Sequence, residues 1–96
     1  RLGETEKAVE ILLRDGPNNI YMPNGHCPQR SDMVRKPGGG PARNEIAVYL
    51  PANGALLTAV AMMAGGWDGA PTGVMTPGFP KNGQWTVRAE GLVPLP

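Results

Sequence analysis

Eight carboxylates and one adjacent His26-Cys27 pair are the main groups in this 96-residue chain able to move protons or attack an electrophile. Paired carboxyl groups in different surroundings can divide acid and base work between them. Glu4, Glu6, Glu10 and Asp15 fall in or just after a charged, periodic stretch and read as surface charges. Asp32 lies in a Gly- and Pro-rich region, and Glu90 alternates with apolar neighbours, the pattern of an outward strand position. Two remain. Glu45 follows a long loop and precedes an apolar segment, where partial desolvation raises a carboxyl pKa towards that of a general acid. Its bland alternative is an ion pair with Arg43. Asp68, after Trp67, is better placed to serve the turn "DGAP".

His26 and Cys27 suggest a nucleophile and its base, but sequence neighbours rarely face each other and no third, orienting group can be assigned. With one cysteine and one histidine, a zinc site within the chain is not expected, nor is an internal disulfide. No cofactor is implied. Tyr21 and Trp67 carry rings able to stack on a ligand, though aromatic packing is their commoner use. Arg30 belongs to a loose basic group with Arg35, Lys36 and Arg43, broken by Asp32 and by glycines. A net charge of +1 without a basic stripe argues against a nucleic-acid partner.

The elements that must position these groups are few. Fourteen glycines and eleven prolines make much of the chain loop and turn. "ETEKAVEILLRD" has the spacing of an amphipathic helix, with Ala8, Val9, Leu12 and Leu13 on one face and Gly16-Pro17 as its stop. Residues 17–44 form a loop longer than connectivity requires, and such loops are usually functional or disordered. "EIAVYLP" is either a short strand or an extended lead-in. From Asn53, an expected N-cap, to Gly65-Gly66 runs a helix whose only hydrogen-bonding side chain is Thr58. Asn82-Gly83 signals a hairpin turn, and "WTVRAEGL" alternates as a half-buried strand. The expected fold is mainly α: one amphipathic and one fully apolar helix, long loops and a short C-terminal β element. Residues 1–70 hold the helical hairpin and residues 71–96 the turn and strand tail.

A helix that is apolar all round needs cover on every side. At about 12 residues the apolar run is too short to span a membrane, which takes roughly 20. One amphipathic helix and one or two short strands cover about two sides, so the chain reads as a piece of a larger fold or as a subunit with a buried interface.

The succession "LGETEKAVEILLRD", "NNIYMPNGHCPQR", "YLPANGALLTAVAMMAGGWDG" and "GFPKNGQWTVRAEGLVPLP" resembles the last segment of bacterial six-hairpin glycoside hydrolases. The likeness in order and texture covers nearly the whole chain, but none of these strings is a strict catalytic signature. It implies a fragment of an (α/α)6 barrel, Arg1 falling inside a longer polypeptide before its penultimate helix, and a periplasmic or secreted location. It further implies carbohydrate as substrate, the rest of the barrel as partner, and cleavage by two carboxyl groups. Glu45 is then the candidate catalytic carboxylate, with His26, Tyr21, Arg30 and Trp67 as candidate sugar contacts. The competing expectation is a non-catalytic structural or interaction module that completes another subunit's core.

Overall fold

The computed structural model describes residues 1–14, 21–28 and 48–96. Among the described residues two helices are present, α1 (Thr5–Leu13) and α2 (Leu50–Gly65). The chain divides into two compact units, Arg1–Leu13 with Leu56–Pro96, and Arg14–Ala55.

α1 follows its sequence signal. Thr5, Ala8, Val9 and Leu12 form the covered stripe, with Val9 buried. Spacings of three and four residues place them on one face. Leu13, expected on that face, is 68% exposed, because it lies beyond the stripe in the last turn. Glu4 precedes the helix, its carbonyl accepting from the Ala8 N–H at 3.0 Å. The Glu4 carboxylate meets the Lys7 ammonium at 3.1 Å, both well exposed. An exposed pair at this spacing contributes about 0.2–0.5 kcal/mol. Arg14 stands just beyond the helix, and the Gly16-Pro17 stop lies outside the described residues.

α2 begins earlier than its capping signal predicts. Asn53 sits inside its first turns, not at its N-cap, and Pro51 is taken into the helix. Proline is tolerated there because the first four backbone N–H groups of a helix have no partner within it. Tyr49, just before the helix, carries the lead-in: its carbonyl accepts from Ala52 N–H at 3.0 Å, and its N–H donates to the Cys27 carbonyl at 2.8 Å. Val48 and Tyr49 are not in a strand, and residues 45–47 of the suggested strand lie outside the described residues.

The far end of α2 is closed by backbone from distant segments. Gly66, at φ +92°, donates its N–H to the Met62 carbonyl at 2.8 Å. That left-handed residue after a helix is the position glycine fills without steric cost. The next orphan carbonyl, Met63, accepts from Gly78 N–H at 2.9 Å. The tail then pairs with the residues after the helix: Leu95 N–H donates to Gly66 O at 3.1 Å and Asp68 N–H to Leu95 O at 2.8 Å. This single parallel bridge, Trp67 to Leu95, is the only β pairing among the described residues.

The strand expected over Trp85–Glu90 does not form. Its turn does: Gly83 takes φ +79°, and the Asn82 side-chain oxygen accepts from Gln84 N–H at 3.0 Å. A strand needs a partner edge for its backbone groups, and the described residues supply none to Trp85–Glu90. The tail therefore pairs once, ten residues on, against the exit of α2.

Among the described residues the buried apolar side chains are Val9, Met63, Trp67 and Pro80 in the first unit, and Cys27 and Pro28 in the second. Leu50 and Leu57 of α2 are 72% and 70% exposed. Each exposed leucine forgoes about 1.5–3 kcal/mol of burial. The chain by itself is expected to melt broadly and to bind a hydrophobic dye. A sharp, two-state thermal transition by circular dichroism, with no dye binding by the monomer, would contradict this.

Candidate functional site

In the second unit a tight turn, 22–26, is docked against the first turns of α2. Met22 N–H donates to His26 O and Gly25 N–H to Met22 O, both at 2.8 Å. Gly25 takes φ +81°, which allows so close a reversal. The Asn24 side-chain oxygen accepts from His26 N–H at 3.1 Å. Asn53 ties the turn to α2, donating from Nδ2 to Gly25 O at 2.9 Å. Its Oδ1 is buried without a hydrogen-bond partner. The cap expected at Asn53 is thus a cross-link between two segments.

His26 is exposed, its Nδ1 standing 3.3 Å from Asn24 Nδ2. Cys27 is buried, its Sγ 3.7 Å from the Pro28 carbonyl. The two neighbours thus occupy opposite surroundings, as expected of adjacent residues, and make no nucleophile–base pair. Tyr21 is half-buried, and its hydroxyl reaches the Ala52 carbonyl at 3.4 Å. Burial, chiefly, raises the Tyr21 phenol above its ordinary value of 10.0, and the adjoining Cys27 thiol adds charge repulsion and a hydrogen bond in the same direction.

A phenol raised in the folded state holds its proton after the unfolded chain has lost it. Its stabilising contribution is therefore complete below pH 10 and lost as pH rises through the raised value. Ultraviolet titration of phenolate absorbance is expected to show one tyrosine ionising later than free tyrosine, and Tyr21→Phe should remove that late component. A late component that survives the substitution would assign it elsewhere.

In the first unit, Trp67 is 8% exposed. It lines a cavity of about 500 Å³ with Leu2, Ala8, Ile11, Met62 and Met63. The Glu4–Lys7 pair stands at its rim. This is an apolar pocket, with Trp67 as part of its packed wall. Asp68 lies in the turn expected of it: Ala70 N–H donates to Trp67 O at 2.9 Å and Gly69 takes φ +83°.

Glu45 and Arg30 lie outside the described residues, as do Asp15, Asp32, Arg35, Lys36 and Arg43. The described carboxylates, Glu4, Glu6, Glu10, Asp68 and Glu90, are all exposed. Among the described residues no three His, Cys, Asp or Glu side chains could hold a metal ion, and no helix is long and apolar enough to cross a membrane. Of the sequence candidates, His26 lies in the docked turn and Tyr21 directly precedes it, while Trp67 belongs to the other unit.

One grouping escaped the sequence reading: Glu6 of α1 meets Asn82, Gln84 and Trp85 around a surface depression of about 350 Å³. The Asn82-Gly83 turn beside a tryptophan was visible; its meeting with Glu6, far away in the chain, was not. Comparisons with known proteins found no matching family model, no matching curated protein and no matching solved structure.

Proposed function

We propose that this chain is the C-terminal part of a glycoside hydrolase of the six-hairpin, (α/α)6-barrel kind, acting on poly- or oligosaccharide and inactive alone. The observation that carries the reading is α2: an apolar helix whose Leu50 and Leu57 remain exposed has the surface of a segment packed among other helices. The choice of enzyme class rests on the resemblance of four successive stretches, from "LGETEKAVEILLRD" to "GFPKNGQWTVRAEGLVPLP". In this reading Glu45 is a catalytic carboxylate and Tyr21, His26 and Arg30 are sugar contacts, while Trp67 serves as packing in the other unit.

Two carboxyl groups are needed for glycosidic cleavage, and the described carboxylates lie exposed along the surface. The isolated chain is accordingly expected to show no turnover on aryl glycosides or oligosaccharides. The same sequence within its longer polypeptide should hydrolyse at least one of them. Activity of the isolated chain would mean that a complete acid–base pair resides here; inactivity of the longer polypeptide would remove the hydrolase assignment. Burial of Trp67 and the exposed charges favour the alternative, a non-catalytic module that completes another subunit's core. That module would restore a partner's folding without any hydrolysis.

A further inference from the structure

The depression beside Trp85 combines an aromatic ring with amide and carboxylate side chains. Trp85 is 40% exposed, so its ring is neither packed away nor loose. Around the same depression stand Glu6, Val9, Pro80, Asn82 and Gln84. A second depression, about 420 Å³, continues from it and shares Glu6, Pro80 and Asn82, adding Glu4, Thr5 and Lys81. The two together make a trough bounded by α1 on one side and the 80–85 turn on the other.

The polar groups along this trough are held in place. Asn82 Oδ1 accepts from Gln84 N–H at 3.0 Å, and Asn82 Nδ2 lies 3.4 Å from Gln84 Oε1. Each side-chain amide carries two donors and an acceptor with two lone pairs, so both retain hydrogen-bonding capacity. Lys81 is already engaged: its ammonium donates to Met75 O, Thr76 O and Thr76 Oγ1. Glu4 is paired with Lys7, whereas Glu6 makes no ion pair among the described residues. The trough therefore offers an aromatic ring, two fixed amides and an unpaired carboxylate.

We propose that this trough is a binding site for a neutral oligosaccharide, with Trp85 as its stacking platform. The electron-rich face of an indole attracts the polarised C–H groups of a sugar ring while burying its apolar face. Vicinal hydroxyls match the donors and acceptors of Asn82 and Gln84, and an ionised Glu6 accepts more strongly than a neutral group. A purely apolar ligand fits poorly, because the second depression is lined mainly by polar side chains. Neither Tyr21 nor His26 is among the described residues that line the trough, so the site is argued apart from those candidate sugar contacts.

The chain contains two tryptophans, one buried and one in the trough, and their indole N–H signals report separately. Titration with cellobiose and with maltose at low temperature, followed by ¹H–¹⁵N correlation spectra, is expected to move the Trp85 signal and leave Trp67 in place. Trp85→Ala should weaken binding about tenfold or more, the scale of losing a well-stacked ring. Trp85→Phe should fall between it and the parent, and both variants should keep the parent's helical circular dichroism. No Trp85 shift, equal shifts of both indoles, or undiminished binding by Trp85→Ala would overturn the proposal. So would a shift caused by a proline-rich peptide but by neither disaccharide, or indole signals collapsed at the random-coil position.

Discussion

Gly78→Ala is expected to cost the first unit about 3 kcal/mol or more, the greater part of its stability. A Cβ built at Gly78 falls 2.4 Å from the Met63 Cα, 2.5 Å from its Cβ and 2.6 Å from its Cγ. The nearest of these atoms is backbone, held within the last turns of α2, so no side-chain rotation relieves the clash. Relief requires Gly78 to move away, which breaks its N–H bond to the Met63 carbonyl and opens the end of the helix. Overpacking typically costs about 1–3 kcal/mol and occasionally more; two backbone segments in conflict and a lost helix-terminal bond place this case at the upper end. Domains of this length have total stabilities of roughly 5–15 kcal/mol, and a core of four buried side chains, Val9, Met63, Trp67 and Pro80, puts this unit near the bottom of that range.

Gly54→Ala supplies the contrast. Gly54 lies inside α2 with nothing within 4 Å of a Cβ and no left-handed φ. Alanine there should add about 0.5–1 kcal/mol, because glycine costs more backbone entropy in a helix. Helical circular dichroism during urea unfolding measures both. Equal behaviour of the two variants would show that the approach of Gly78 to Met63 does not hold α2 in place.

If the proposed hydrolase reading holds, Glu45→Gln in the active enzyme is expected to reduce turnover by about 10²–10⁴-fold, the range for a general acid or base. The motivation is sequence alone: Glu45 follows a Gly- and Pro-rich stretch expected to be a long loop and precedes apolar residues. Glutamine keeps the shape and the hydrogen-bonding reach while removing the titrating proton. The melting temperature should therefore be unchanged and the pH dependence of kcat/KM should lose one limb. A loss smaller than about threefold would leave Glu45 as an ordinary loop charge and favour the non-catalytic module.

The two helices were legible because periodicity and composition are local properties. α1 needed only its three-and-four spacing, and α2 only an uninterrupted run of helix-compatible apolar residues. The start of α2 was misjudged for a reason equally local. Asn53 is a good N-cap in isolation, but its side chain is used on Gly25, and Pro51 is acceptable two residues earlier, within the first turn. The turn at Asn82-Gly83 was visible for the same cause: its conformation depends on Gly83 and on an oxygen two residues from the N–H it accepts.

What the sequence determined alone is therefore the helical class, the turns and the incompleteness of cover around α2, each set within a dozen residues. Tertiary structure decided what meets across long separations. The alternation in "WTVRAEGL" could not disclose whether a partner edge exists, so a predicted strand became an unpaired tail with one bridge at Leu95. Nothing near Gly78 in sequence announces that it must lie against Met63. The meeting of Glu6 with Asn82, Gln84 and Trp85 is likewise invisible in the chain. Propensity and turn chemistry act through neighbouring dihedrals, whereas a pairing edge, a close backbone approach or a binding surface exists only after distant segments have been packed together.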